Sequence, residues 1–186
     1  MTRLTKASDL TIVRSLLSNI AEGLVAYGTF ESRVGMGAAL CESTFYMPMM
    51  KIAKHLGWET SVEVPLKNLR AGKTGDLPRV DFYAHRDEYG VGVEVKFVAK
   101  FSKSELYPSY ESSKLIELEK CRKKDHQKGF RGYRLIIGRS KKIDDVDSFV
   151  ITRKQIGRLK EETKVMKSVR FDQSGLGYFC LIVRLV

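Results

Sequence analysis

Residues 77–97, LPRVDFYAHRDEYGVGVEVKF, constrain the fold more than any other stretch of the chain. Two runs rich in strand-forming residues, 79–84 and 91–97, flank a short polar connection. Side chains alternate across a strand, so a hairpin with Asp81 opposite Glu94 sorts the residues cleanly. Val80, Phe82, Ala84, Val91, Val93, Val95 and Phe97 then share one apolar face, and Asp81, Tyr83, Gly92, Glu94 and Lys96 share the other. A slip of one residue mixes the two sets, which specifies the register strongly. That register puts Arg86-Asp87-Glu88-Tyr89 at the connection, read as a type I turn with a bulge at Gly90.

The polar face carries chemistry. Two carboxylates and an ammonium side by side on a rigid hairpin are what a hard divalent cation and a phosphate require. Mg²⁺ takes one or two carboxylates and completes its shell with water and substrate phosphate. Such an ion lowers the pKa of a bound water and neutralises charge on a phosphodiester under in-line attack. Lys96, two residues beyond Glu94, points the same way and can orient or deprotonate the water, or stabilise developing charge. Gly92 leaves space for a close approach. The plain alternative is a cross-strand ion-pair cluster on a wet sheet face.

Around this hairpin the chain reads as one α/β domain of 186 residues, without repeats or linkers. Apolar residues at Leu10, Val13, Leu16, Leu17, Ile20 and Leu24 predict a helix from Ser8 to a stop at Gly28. A second helix is expected over residues 37–56, kinked by Pro48 or restarted there, and ended by Gly57. Strands are expected over residues 58–66, 133–137 and near 149–151, and helices over 109–124 and 152–164, the latter opened by Thr152 and Gln155. Val169 and Phe171, a turn, and residues 178–185 predict a closing hairpin.

Net charge is the next strong feature. The chain carries 33 Lys and Arg against 22 Asp and Glu, a formal charge of +11, and its pI is about 9.6. Such an excess attracts polyanions, of which nucleic acid is the commonest in a cell. The excess concentrates between Lys120 and Lys142, where Lys120, Arg122, Lys123, Lys124, Lys128, Arg131 and Arg134 are opposed only by Asp125. Phe130 and Tyr133 are interleaved there, which suits phosphate contact and an unstacked base. A solvated helix end is the simpler account of such a run.

No run of apolar residues is long enough to span a membrane, and the opening MTRLTKASDL has no signal-like core, so a cytoplasmic protein is expected. Cys41, Cys121 and Cys180 are too scattered for a disulfide frame or a zinc site. Lys67 stands where a phosphate-binding loop ending in Gly72-Lys73-Thr74 would need glycine, and His55, His85 and His126 stand apart from any partner at metal spacing. Met47, Met49 and Met50 read as core packing.

Asp81 followed by Glu94-Val95-Lys96, with a helix before and a helix and strand after, resembles the PD-(D/E)xK nuclease superfamily over residues 37–137. The departure is Pro78, three residues before Asp81 instead of adjoining it. The resemblance implies a restriction-endonuclease-like α-β-β-β-α-β core with a mixed sheet, preceded by the N-terminal helix and followed by the C-terminal helix and strands. It implies a metal-dependent DNA endonuclease using Mg²⁺, with Mn²⁺ as a substitute. Asp81 and Glu94 would hold metal, Lys96 would be the catalytic lysine, and Glu42 would complete the acidic set from the first core helix. Glu31, in a loop, is the other candidate for that last place. Lys114, Lys120 and Gln127 compete for an accessory role in the following helix, and Tyr83 would stack on a base or fill the mouth of the site. Two alternatives stand beside this reading: an inactive nucleic-acid-binding subunit of the same fold, and an RNA-directed nuclease. A homodimer is left open, because enzymes that cut both strands of a duplex often pair.

Overall fold

Helix α1 (Lys6–Arg33) opens the chain, and its apolar stripe is the largest single contribution to the core. A computed structural model describes residues 6–65, 79–98, 130–140, 166–171 and 177–184. Val13, Leu16, Leu17, Ile20, Leu24 and Val25 of α1 are buried, as helical spacing requires. The helix does not stop at Gly28 but continues to Arg33, and the chain turns at Gly35 with φ 84°. Gly28 serves packing instead. A Cβ there would lie 2.7 Å from the Tyr178 ring, so the missing side chain lets the helix seat on the sheet.

The expected helix over residues 37–56 breaks into two short 3-10 turns, Gly37–Ala39 and Glu42–Phe45, and helix α2 (Tyr46–His55). Leu40 and Cys41 are extended between the turns. The Cys41 N–H is taken by the Thr44 hydroxyl at 3.1 Å, which fixes the second turn. Pro48 falls in the first turn of α2, where its missing N–H leaves no helical bond unmade. Gly57 ends α2 as expected, with φ 79°. The Trp58 N–H donates to the Ala53 carbonyl and the Gly57 N–H to that of Lys54, both at 3.0 Å, the paired bonds of a Schellman ending.

Among the described residues, six strands form one mixed sheet: β1 (Glu59–Pro65), β2 (Arg79–Arg86), β3 (Tyr89–Val98), β4 (Arg131–Ser140), β5 (Met166–Phe171) and β6 (Gly177–Arg184), in the order β1-β2-β3-β4-β6-β5. Only the β3–β4 pair is parallel. One sheet face, with Phe82, Ala84, Val91, Val93, Val95, Leu135, Ile137, Cys180 and Ile182, packs against α1 and α2 as the main core. The α/β class and the closing hairpin therefore agree with the sequence. The helices expected at 109–124 and 152–164, and the strand near 149–151, lie outside the described residues. Among the described residues, no helix is long and apolar enough to cross a membrane.

Candidate active site

The β2–β3 hairpin has the register its sequence demands. Phe82 faces Val93, Ala84 faces Val91 and Arg86 faces Tyr89, and the pairing ends at Phe82–Val93, one position short of Asp81 and Glu94. Its turn differs from expectation. Gly90 pairs regularly with His85, so there is no bulge, and the connection is the two residues Asp87 and Glu88, with Asp87 at φ 53°. Asp tolerates this left-handed conformation better than most residues, and a two-residue connection of this hand matches the strand twist.

At the other end of the hairpin the regular pattern fails, and it fails around Asp81. Val62 and Phe82 belong to the main core, but Val64 and Val80 pack with Tyr83 and Phe130 in a separate cluster. Residues two apart in a strand should share a face. The departure from alternation therefore falls between the Val62–Phe82 and Val64–Val80 rungs, at Glu63 of β1 and Asp81 of β2. Glu63 has φ 50°, a left-handed backbone that a non-glycine residue adopts at a cost. Val80 consequently leaves the apolar face on which its parity had placed it.

Beyond Phe82 and Val93, carboxylates take the place of strand pairing. The Val95 N–H donates to Asp81 Oδ2 at 2.7 Å, and the Phe97 N–H donates to Glu42 Oε1 at 3.3 Å. These two N–H groups are two residues apart on β3, about 7 Å along the strand. Between them, Lys96 Nζ lies 3.2 Å from Glu42 Oε1, with both side chains partly exposed. The sheet thus opens into a notch whose rim holds Asp81, Glu42 and Lys96. Glu42 reaches it from the 3-10 turn ahead of α2, not from within a helix as expected. Phe45, from the same turn, anchors that approach by packing against Phe97 and Tyr27, with ring centroids 5.6 and 6.1 Å away. Glu31 lies in α1 and not in a loop.

Glu94 and Arg134 stand side by side in the parallel β3–β4 register, both buried, at 3% and 1% exposure. Burial of this kind removes Arg134 from any surface that tracks phosphates, which corrects its expected role. Tyr83 is also buried, and its ring stacks on that of Phe130 with centroids 6.2 Å apart. The pairing is physical: Tyr83 faces Gly92, which itself faces Gly132, and the aromatic rings lie where two neighbouring strands lack side chains. Arg131 is half-buried and donates to the Phe130 carbonyl at 3.0 Å. Lys120, Arg122, Lys123, Lys124 and Lys128 lie outside the described residues, as do Lys114 and Gln127.

Two residues of the notch escaped the sequence reading. The Tyr46 hydroxyl donates to Glu63 Oε1 at 3.0 Å. Burial, then the charge of Asp81, then Glu63 and Glu42, all raise the pKa of this phenol, so it stays a proton donor. Tyr46 was legible in principle, four residues after Glu42 and one helical turn on; Glu63 carried no such signal. Cys41, exposed and adjacent to Glu42, has its thiol lowered to about 7 by hydrogen bonding with Ser43 and Thr44.

The donor set fits a hard cation held by one or two carboxylates and completed by water, as Mg²⁺ prefers. It does not make an all-protein cage: the described residues contain no group of three His, Cys, Asp or Glu placed to hold a metal. Glu42, Asp81 and Glu94, the expected trio, are accordingly not grouped as ligands of one ion among the described residues. Comparisons of the chain with protein-family models, with curated proteins and with solved structures find no match.

Proposed function

We propose that this protein is a metal-dependent endonuclease of the PD-(D/E)xK kind that hydrolyses DNA phosphodiester bonds. The observation that carries the reading is the notch itself. A hairpin of specified register gives up strand pairing at Asp81, and two carboxylates and a lysine from separate elements converge on the gap. Asp81 and Glu42 would hold the metal, with water and substrate phosphate completing its shell. A bound Mg²⁺ supplies charge neutralisation and a more acidic water. The chain's own contribution is position. The Val95 and Phe97 N–H groups fix one oxygen of each carboxylate, and Lys96 supplies a cation at the rim for a non-bridging phosphate oxygen or the attacking water. The charge of +11 favours approach of a polyanion.

One observation favours the second reading, a subunit that binds nucleic acid without cutting it: Glu94, one of the carboxylates expected to hold metal, is buried and neighbours buried Arg134 in the strand register. Cleavage of supercoiled plasmid, a synthetic four-way junction and single-stranded RNA, with Mg²⁺, Mn²⁺ or EDTA, separates these readings. Metal-dependent cutting of DNA is expected. Lys96→Ala should lose about 10²- to 10⁴-fold in rate while still binding DNA. Wild-type cleavage by Lys96→Ala would overturn the site. Salt-sensitive binding without cleavage would establish the binding subunit, and cutting of RNA alone would change the substrate.

A further inference from the structure

We propose that Arg139 and Tyr178, neighbours at the end of the sheet beneath α1, form a phosphate-binding subsite separate from the notch, which takes a phosphate group of the nucleic-acid strand that the notch cleaves. The source of that phosphate rests on the endonuclease reading; the anion site itself does not.

Strand register assembles the site. Tyr178 of β6 pairs with Arg139 of β4 on one side and with Arg170 of β5 on the other, so a single rung across three strands places an arginine on either side of the tyrosine. Directly paired residues share a face, with Cβ atoms about 5 Å apart. For Arg139 and Tyr178 that face is the one covered by α1, because Ile137 and Cys180, two positions away along each strand, belong to the main core. Glu31, the acid on this turn of α1, is hydrogen-bonded to Tyr27.

Unmet hydrogen-bonding groups mark the same place. The Tyr178 hydroxyl and Arg139 Nε are both buried, and neither has a hydrogen-bond partner among the described residues. Tyr178 is 1% exposed, and its ring is pressed against Gly28, which holds the hydroxyl away from water. Arg139 is half-buried, so the residue is reached from solvent although its Nε is not. Buried polar groups are nearly always paired, and an unpaired one calls for an ion, a ligand or an ordered water. Arg Nε–H can only donate, and the guanidinium keeps its charge, so the group that completes this pair is an acceptor and an anion. A phosphate oxygen meets both needs, whereas a water meets only the first.

Position connects the pair to the notch. Ile137 pairs with Phe97, whose N–H holds Glu42, and Arg139 lies two residues further along β4. The Cα atoms of Arg139 and Phe97 are therefore about 8 Å apart. A DNA strand carries a phosphate about every 3.4 Å of its axis, so a strand with one phosphate in the notch brings another to this rung. Helix α1 spans both places: Tyr27 packs on Phe45, from the turn that delivers Glu42, and the next residue, Gly28, packs on Tyr178.

The test uses the full chain in EDTA, with inorganic phosphate as the probe and chloride at equal ionic strength as the control. The apparent phosphate Kd is read from the rise in melting temperature. Phosphate should stabilise the wild type. Arg139→Gln removes the charge and Tyr178→Phe the hydroxyl, and each should weaken phosphate binding about tenfold. Tyr178→Phe also separates a ligand site from a structural one: its hydroxyl has no partner to lose, so the phosphate-free melting temperature should equal or exceed that of the wild type. A wild type no more stable in phosphate than in chloride, or variants that share its phosphate affinity, would overturn the subsite. Binding of a single-stranded oligonucleotide with a 5′-phosphate or a 5′-hydroxyl then identifies the source. A preference for the phosphorylated end that Arg139→Gln loses assigns a strand end, equal weakening of both assigns a backbone phosphate, and weakening of neither overturns the role on nucleic acid. Plasmid cleavage in Mg²⁺ is read separately: a phosphate response without cleavage keeps the subsite and sinks the endonuclease reading, and cleavage without a phosphate response does the reverse.

Discussion

The two ends of the β2–β3 hairpin obey different rules. At the turn end, backbone pairs with backbone from Arg86–Tyr89 to Phe82–Val93, and the apolar side chains belong to the main core. At the open end, side chains from three elements do what a neighbouring strand would otherwise do: Asp81 accepts from Val95, Glu42 accepts from Phe97, and Lys96 closes on Glu42. The difference shows how a sheet can host chemistry. A regular ladder uses its polar groups on itself, whereas here carboxylates and a lysine from neighbouring elements are brought to the backbone edge. The rigid turn end holds the open end in place, and so the contrast is a division of labour within one supersecondary unit.

If that division is real, the energetics should be lopsided, and the largest effect should come from the turn side of the boundary. Phe82 is fully buried at the last regular rung and packs into the main core. Phe82→Ala should cost about 3–5 kcal/mol in stability, measured by denaturant unfolding. Phe97, only partly buried at the open end, should cost less than half as much on the same change. Equal losses would mean that the notch is packed as tightly as the ladder and would remove the contrast.

A middle-sized effect tests whether Asp81 acts structurally as well as chemically. Its Oδ2 holds a part-buried N–H at 2.7 Å, so Asp81→Ala orphans that donor and should lose about 1–3 kcal/mol. Asp81→Asn preserves an acceptor and should recover most of this stability while removing the charge. The asparagine variant is therefore the cleaner probe of cleavage. Equal stabilities for the two variants would show that the Val95 bond contributes little and that the strands part for another reason.

Much of the turn end was legible in the sequence because alternation has only two phases. With Val80, Phe82, Val93 and Val95 apolar and Asp81 and Glu94 polar, one register satisfied both strands. The same logic failed at Val80, whose parity is undone by a backbone conformation that Glu63 announces in no composition or spacing rule. Arg134 misled for a related reason: within a basic run it resembled its neighbours, and only strand pairing with buried Glu94 distinguishes it. Tyr83 reads equally as a platform for a base or as filler at the mouth of the site, and its sequence does not announce the stacking on Phe130. Gly28 read as a stop and proved to be a contact surface for Tyr178, since glycine answers equally to turning and to close approach. Glu42 was placed correctly in the chain but on the wrong element, because extended Cys41 and the Thr44 hydroxyl break the helix that periodicity suggested.

The smallest effect is also the most local. Cys41 adjoins Glu42, is exposed, and has its thiol lowered from 9.0 to about 7 by hydrogen bonds with Ser43 and Thr44. Cys180, under the sheet, has its thiol pushed up by burial. The thiolate is the reactive form, so alkylation of Cys41 should rise through a midpoint near pH 7 and level off above it, while Cys180 stays unreactive in the folded protein. In a Cys121→Ser background, iodoacetamide labelling read by mass spectrometry follows each site. Ser43→Ala removes the larger of the stabilising bonds and should move the Cys41 midpoint upward toward 9.0, with no change at Cys180. The sign is fixed by chemistry: a hydroxyl that donates to sulfur favours the charged form, and its loss delays ionisation to higher pH. A midpoint that ignores Ser43 would show that the 3-10 turn does not hold these three residues together, and the path by which Glu42 enters the notch would need another support.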